Sequence, residues 1–518
     1  MKKNVFTKAI LLCLVVLFMV SCSKQDNLKC IPKNAEVVVS IDAKSLIKKG
    51  ELNKLDQYEF SKEFSTGLSG KQKVIFDKIK EDPSSLGIDF SDEVYFFSYP
   101  LSTGTKTPVV AISLSDKGDF EKTLTESDAT IKIIDGKNYR TVENNKGAAW
   151  NDKVLLLFPE TYRLDETIIA QLFENKETIT DNKDFSKFLD EEGDIKAWIS
   201  GDLFANLSNP MTGADPNMAK QLKLYKGSYM HFTLQFDDKE IVSDFKWNMS
   251  DSLKDFMKKY PMMKKDFDKD LLQFLPKTTM GLYAANVDLP VAYNYYNSQL
   301  NTQLTQIDQL VKQKMGLDLK TISNEFEGNI IGALTGFHTE TKYGMPRPTP
   351  DFVVLAKTKS DAFYTAIPKA LDSTGIQIQN KGTYYELLNV SDSSRFYISN
   401  KNKMLMMSNS LEQLNTFLKG GFAKEGLQDT DVAKLAKNAT FGYLNLDYKI
   451  YQPLLQNSVG SNPKAQKMAE ITFNVLDHFE IVSENQTEGK ARLVLKNTEK
   501  NSLYTLLKMI DKNYVASK

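Results

Sequence analysis

The chain has 518 residues, 66 basic and 66 acidic, with 41% hydrophobic and 25% charged positions, which is ordinary globular usage. That length accommodates several average domains or two large ones with cores of their own. A formal charge of zero lacks the clustered basic footprint that displaces counterions from nucleic acid, so no nucleic-acid partner is expected.

Lys2 and Lys3 open the chain, and Ala9 to Val20 is an apolar run shorter than the roughly 20 residues that span a bilayer. Ser21 then precedes Cys22. Charge, short apolar stretch and small residue in that order make a secretory signal over residues 1–21. Phe18-Met19-Val20-Ser21-Cys22 resembles a bacterial lipobox, with Met19 where Leu is common. The resemblance implies diacylation of Cys22, lipid anchoring to a membrane, and a polar tether over residues 22–30. Lys2, Lys3 and Lys8 are the only charges in residues 1–21, so the remainder carries a net charge of −3. With Cys13 and Cys22 spent on export, Cys30 is left as a single thiol, which cannot close an internal disulfide.

Val37 to Ile41 reads as a strand ending at Asp42, followed by a helix from Ala43. Met280 to Val287 reads the same way, ending at Asp288 and followed by a helix from Leu289. The lead-ins also match: Ile31-Pro32-Lys33 and Leu275-Pro276-Lys277. The two Asp residues lie 246 positions apart. The pairs Phe120/Phe363, Asp202/Asp447 and Phe232/Phe479 follow in the same order at offsets of 243, 245 and 247. Constant offsets over so many strand-then-helix patterns predict duplication of a large unit rather than a short-period solenoid. The expected modules are residues 31–270 and 271–518.

Further strands are predicted at Val94–Tyr99, Val109–Leu114, Lys153–Phe158, Tyr229–Phe236, Glu240–Asn248, Asp351–Lys357, Phe396–Ser399 and Lys403–Met407. Asn151-Asp152, Asp237-Asp238-Lys239 and Asn400-Lys401-Asn402 supply hairpin turns, because Asn and Asp tolerate left-handed backbone. Asp42, Asp116, Asp202 and Asp447 are predicted helix caps. Tyr296 to Met315 reads as the longest helix, with Leu300, Leu304, Ile307, Leu310 and Val311 as a core stripe. Ser208–Asn217 and Thr339–Pro350 read as irregular, the second being a hairpin loop enlarged relative to Leu101–Pro108 and a candidate for recognition. The expected class is α+β: mainly antiparallel sheet with helices packed on one face.

Chemistry is sparse. His231, His338 and His478 form no metal-ligand spacing, so no metal site and no cofactor are expected. No catalytic residue is assigned. Gly67-Leu68-Ser69-Gly70-Lys71 is too short for a phosphate loop, and Gln72 stands where Ser or Thr would hold magnesium. The acidic run Asp190 to Asp194 reads as a solvated loop. Tyr293 to Tyr296 and Tyr384-Tyr385 could stack on sugar or peptide, yet core packing is the favoured account of both clusters.

The Cys22 lipobox, followed by Ile31-Pro32-Lys33-Asn34-Ala35-Glu36-Val37-Val38-Val39-Ser40-Ile41-Asp42, resembles a Bacteroidetes lipoprotein family, domain of unknown function 4836. The resemblance implies a cell-envelope location, with outer-membrane anchoring, and brings no catalytic residues. The leading expectation is a non-enzymatic binding or structural module with a protein or glycan partner in the envelope. The alternative is a carboxylate-dependent hydrolase acting on envelope or dietary polymers, which needs two acids about 5–10 Å apart in a cleft.

Overall fold

The computed structural model describes residues 26–518 apart from 69, 82, 101–105, 128, 144–146, 160–164, 207–215, 300, 343–344, 372–375, 392–393, 459–461 and 497. The export signal, Cys22 and residues 208–215 of the expected irregular stretch lie outside the described residues. The chain divides into two compact units, one ending at Ile199 and the other beginning at Ser200.

The first unit carries β1 (Val37–Ile41), β2 (Val94–Pro100), β3 (Lys106–Ser113), β4 (Ile133–Asp135), β5 (Arg140–Val142), β6 (Ala148–Trp150), β7 (Val154–Leu157) and β8 (Ile195–Ser200). They pair antiparallel in the order β8-β1-β2-β3-β7-β6-β5-β4. On one face Val38 stands between its register partners Phe97 and Trp198. The Trp198 ring packs on Phe185 and Phe188 of the helix Lys183–Leu189. Asp42 caps the helix Ala43–Lys49 by accepting from the Ser45 amide at 2.8 Å.

The second unit carries β9 (Tyr229–Phe236), β10 (Glu240–Asn248), β11 (Gly281–Asn286), β12 (Phe326–Lys342), β13 (Met345–Thr358) and β14 (Ile376–Asn380). It continues with β15 (Tyr385–Asn389), β16 (Arg395–Lys401), β17 (Met404–Ser408), β18 (Thr440–Asn445), β19 (Leu476–Ser483) and β20 (Glu488–Leu495). Their antiparallel order is β9-β10-β20-β19-β18-β11-β12-β13-β17-β16-β15-β14. From β18 to β14 this order repeats that of β8 to β4 strand for strand. The β9–β10 hairpin precedes residue 270 yet belongs to the second unit, where β10 pairs with β20 and Ser243 stands opposite Ala491. The α+β class with antiparallel sheet is the observed one.

Three local expectations change. Helical cover lies on both faces at β16–β17. Tyr397 and Met406 pack with Leu414 and Phe417 of the helix Leu411–Lys419, while Ile398 and Met407 pack with Ile367 of the helix Ala362–Leu371. The reason is the unbroken apolar run Met404-Leu405-Met406-Met407, which makes both sides of the strand apolar. The expected long helix is helical over Leu289–Gln299 and Asn301–Met315, with residue 300 outside the described residues. In its expected stripe Ile307 and Leu310 are not core, being 50% and 55% exposed, and Leu300 lies outside the described residues. The described residues of Thr339–Pro350 form not an irregular loop but a regular two-stranded ribbon, paired from Phe337↔Pro350 out to Lys342↔Met345. The β16–β17 turn sits at Asn402 and Lys403, with φ of 53° and 61°, the left-handed pair a two-residue hairpin needs.

Phe441 is fully buried and meets Phe267 edge-on at 5.5 Å, whereas Leu444 on the other face of β18 is 40% exposed. Phe441→Ala should therefore cost about 3–5 kcal/mol and Leu444→Ala well under half of that, read as shifts in the urea unfolding midpoint.

Candidate functional site

Asp165 accepts from the Ile168 amide at 2.8 Å and starts the helix Glu166–Phe173. Ile169 and Leu172 are buried, and Phe173 stacks on Tyr139 at 5.8 Å. Thr167, Ala170, Gln171 and Glu174 recur at helical spacing, which places them on one face. That face walls a cleft of about 520 Å³ in the first unit, closed on other sides by Pro32, Asn34, Tyr99 and Asn175.

Backbone contacts tie the two lining segments together. Pro32 bridges Thr178, the Lys33 amide donates to Glu177 O at 3.2 Å, and the Ile179 amide donates to Ile31 O at 2.9 Å. The end of β2 brings Tyr99 to the helix, where its hydroxyl donates to Gln171 Oε1 at 3.4 Å. Burial, with the Asp165 charge nearby, raises the Tyr99 phenol above its ordinary value, so it stays a neutral donor. The lining is thus amides, a threonine hydroxyl and one aromatic ring, with Glu174 and Lys176 as its charged members. That is equipment for a hydroxyl-rich ligand, since each of these groups can bond a hydroxyl and the ring can stack on a sugar face. The described lining residues hold one carboxylate, Glu174, where hydrolysis by paired acids needs a second.

At the other end of β1 lies a buried charged row. Ser40 stands between its register partners Tyr95 on β2 and Lys196 on β8. Ser40 and Tyr95 donate to Glu93 Oε2, the latter at 2.8 Å, and Lys196 Nζ lies 2.9 Å from Glu93 Oε1 and 2.8 Å from Leu189 O. Burial alone would raise the Glu93 carboxyl. The Ser40 hydrogen bond, the Lys196 charge and the Tyr95 hydroxyl outweigh it and hold the carboxyl below the usual range. Next to this row, Asp194 is 3% exposed and takes Lys49 Nζ at 2.7 Å. In the second unit the same register holds Ala284 between Ile331 and Phe441, all three fully buried. Charge at this place is therefore no requirement of the strand order.

Residues 27–503 match the family described as a domain of unknown function, DUF4836. The chain belongs to this family. No curated protein matches it. The solved structures of TP0453, in crystal forms I and IV, each align at 11% identity with a TM-score of 0.26. They cover 43% and 42% of this chain and 78% and 79% of their own.

In this DUF4836 protein the sequence-predicted residues do not converge on one site. Cys30 is no tether residue: it is 3% exposed in the 3-10 turn Asp26–Cys30, and burial pushes its thiol up to about 12. His231 is buried, His338 pairs with Asp351 at 2.6 Å, and His478 pairs with Asp477 at 2.7 Å, each in a separate place. Asp194, expected in a solvated loop, is interior. Tyr295 packs among Phe256, Tyr260 and Tyr296, with the Tyr296 ring half exposed. The cleft was invisible because its wall reads in sequence as a short amphipathic helix; the Thr167, Gln171, Glu174 spacing was its one available signal.

Removing Lys196 would strand the Glu93 charge in a mostly buried place. Lys196→Met should destabilise by about 3 kcal/mol in chemical denaturation at pH 7. A depressed folded-state pKa contributes stability that is complete above the unfolded value of about 4.3 and is lost as pH falls through the folded value. Glu93→Gln should thus flatten the acid limb of the stability profile below about pH 4. An unchanged limb would refute the assignment.

Proposed function

We propose that this chain is a lipid-anchored lipoprotein of the cell envelope, of the Bacteroidetes type, that binds a glycan partner without catalysis. The observation that carries the reading is the lining of the Tyr99 cleft: the amides of Asn34, Gln171 and Asn175 and the Thr167 hydroxyl around one aromatic ring, with Glu174 and Lys176 as charged groups that can also hydrogen-bond sugar hydroxyls. Anchoring follows from the lipobox at Cys22. The described residues begin at Asp26, and Ser23, Lys24 and Gln25 between it and Cys22 can span no more than about 14 Å. An acylated Cys22 would keep the first unit against its bilayer.

We further propose that the chain is a tandem duplication. The matching strand order supports it, and so do paired details. Asp42 and Asp288 each accept from an amide three residues on, at 2.8 and 3.1 Å. Pro32 and Pro276 each form an isolated bridge. Lys33–Glu177 and Lys277–Glu425 lie at 3.9 Å in both.

Two measurements test the function. Cys22→Ala should abolish acylation and release the chain from the membrane fraction. The protein screened against neutral oligosaccharides should bind a subset, and Tyr99→Ala or Gln171→Ala should weaken that binding at least about tenfold, the loss of one good contact. Equal binding by the variants, or none by the parent, overturns the glycan reading.

A further inference from the structure

The ribbon of β12 and β13 outruns its sheet. Among the described residues, β11 accompanies β12 only from Asn329 to Leu334, and β17 accompanies β13 only from Val353 to Lys357. The hydrogen bonds settle which way each backbone group points beyond. The Phe352 amide donates to Asn409 Oδ1 at 2.9 Å, and Pro350 O accepts from Asn409 Nδ2 at 2.9 Å. Even-numbered residues of β13 therefore turn their N–H and C=O away from β12, since successive residues of a strand alternate. Those positions in the ribbon are Pro346, Pro348 and Pro350. Proline has no N–H, so this outer edge has lost its donors while every bond to β12 is kept.

The other edge is treated differently. A register shift between Leu334 and Gly336 resets β12, after which Gly336 and His338 pair with Asp351 and Thr349. The bonded positions on the β13 side are thus even, and Phe337, Thr339 and Thr341 direct N–H and C=O outward. No proline interrupts them, and Thr339 is exposed. Natural sheets disarm edges that have no use; this ribbon removes the donors of one edge and keeps those of the other, with the helix Tyr448–Ser458 in contact with both strands.

We infer that the outer edge of β12 pairs with the same edge of a second copy of this chain, antiparallel about Thr339. Such pairing sets Phe337 against Thr341 of the partner subunit and Thr339 against Thr339 of the partner subunit, each pair exchanging two bonds. The proline edge selects this occupant. With both edges open, ribbons would stack without end; with one edge lacking donors, pairing closes at two copies as an isologous contact. The chain already holds this geometry internally, where β10 and β20 pair antiparallel with Ser243 opposite Ala491. The inference is independent of the glycan reading.

Hydrogen-bonded antiparallel partners have Cα atoms about 5.5 Å apart, inside the disulfide range of about 4.4–6.8 Å. The full chain carrying Thr339→Cys should give a disulfide-linked dimer on mild oxidation, while Pro348→Cys on the blocked edge and the parent chain form no covalent dimer. Thr339→Pro removes one outward donor and spares the ladder, so it should weaken self-association in sedimentation at least about tenfold with an unchanged circular-dichroism spectrum. The inference is overturned if Thr339→Cys links no better than Pro348→Cys, or if Thr339→Pro associates as the parent does.

Discussion

Each sheet depends on a strand whose two neighbours come from far along the chain. β1 is flanked by β2, some fifty residues on, and by β8, more than a hundred and fifty residues on; β11 is flanked likewise by β12 and β18. A central strand has no other way to satisfy its amides and carbonyls once buried. Closing such long loops costs entropy that must be recovered from packing on the strand's faces. The residues of β1 and β11 are apolar at the positions that face Trp198 and Phe441 for that reason.

The two central strands meet this demand by different chemistry. Around Ala284 the register row is apolar throughout. Around Ser40 it is a Lys, a Tyr and a Glu whose hydrogen bonds are mutually satisfied. Removing two charges from water costs several kcal/mol per ion, so the charged row is not the cheaper filling. What it adds is selectivity: only one register of β8 on β1 brings Lys196 to Glu93, and a slip of one residue would bury the charges apart. β1 carries Pro32–Asn34 at its other end, so fixing its register also fixes one wall of the Tyr99 cleft.

Edges impose the second constraint. Paired strands leave unsatisfied groups wherever a neighbour stops, and this chain answers case by case. β10 and β20 cover each other, with Lys490 3.1 Å from its register partner Asp244. The ribbon uses alternating prolines on one side and keeps the other side intact.

Local sequence was informative where the physics is local. The alternating apolar runs located the strands, the Asn and Asp turns located the hairpins, and Asp42, Asp116 and Asp447 cap helices by accepting from nearby amides. Asp202 sits instead in the first turn of its helix and accepts from Gly227, a contact set by a segment 25 residues away. The order of Val37–Ile41 and Met280–Val287 motifs along the chain announced two similar strand sets. Which strands neighbour one another, that Asp194 and Cys30 are interior, that Ile307 and Leu310 are not, and that Thr167, Gln171 and Tyr99 share a cleft were decided by tertiary structure alone. Burial and proximity belong to pairs of residues remote in the chain, and no periodicity within one segment carries that information.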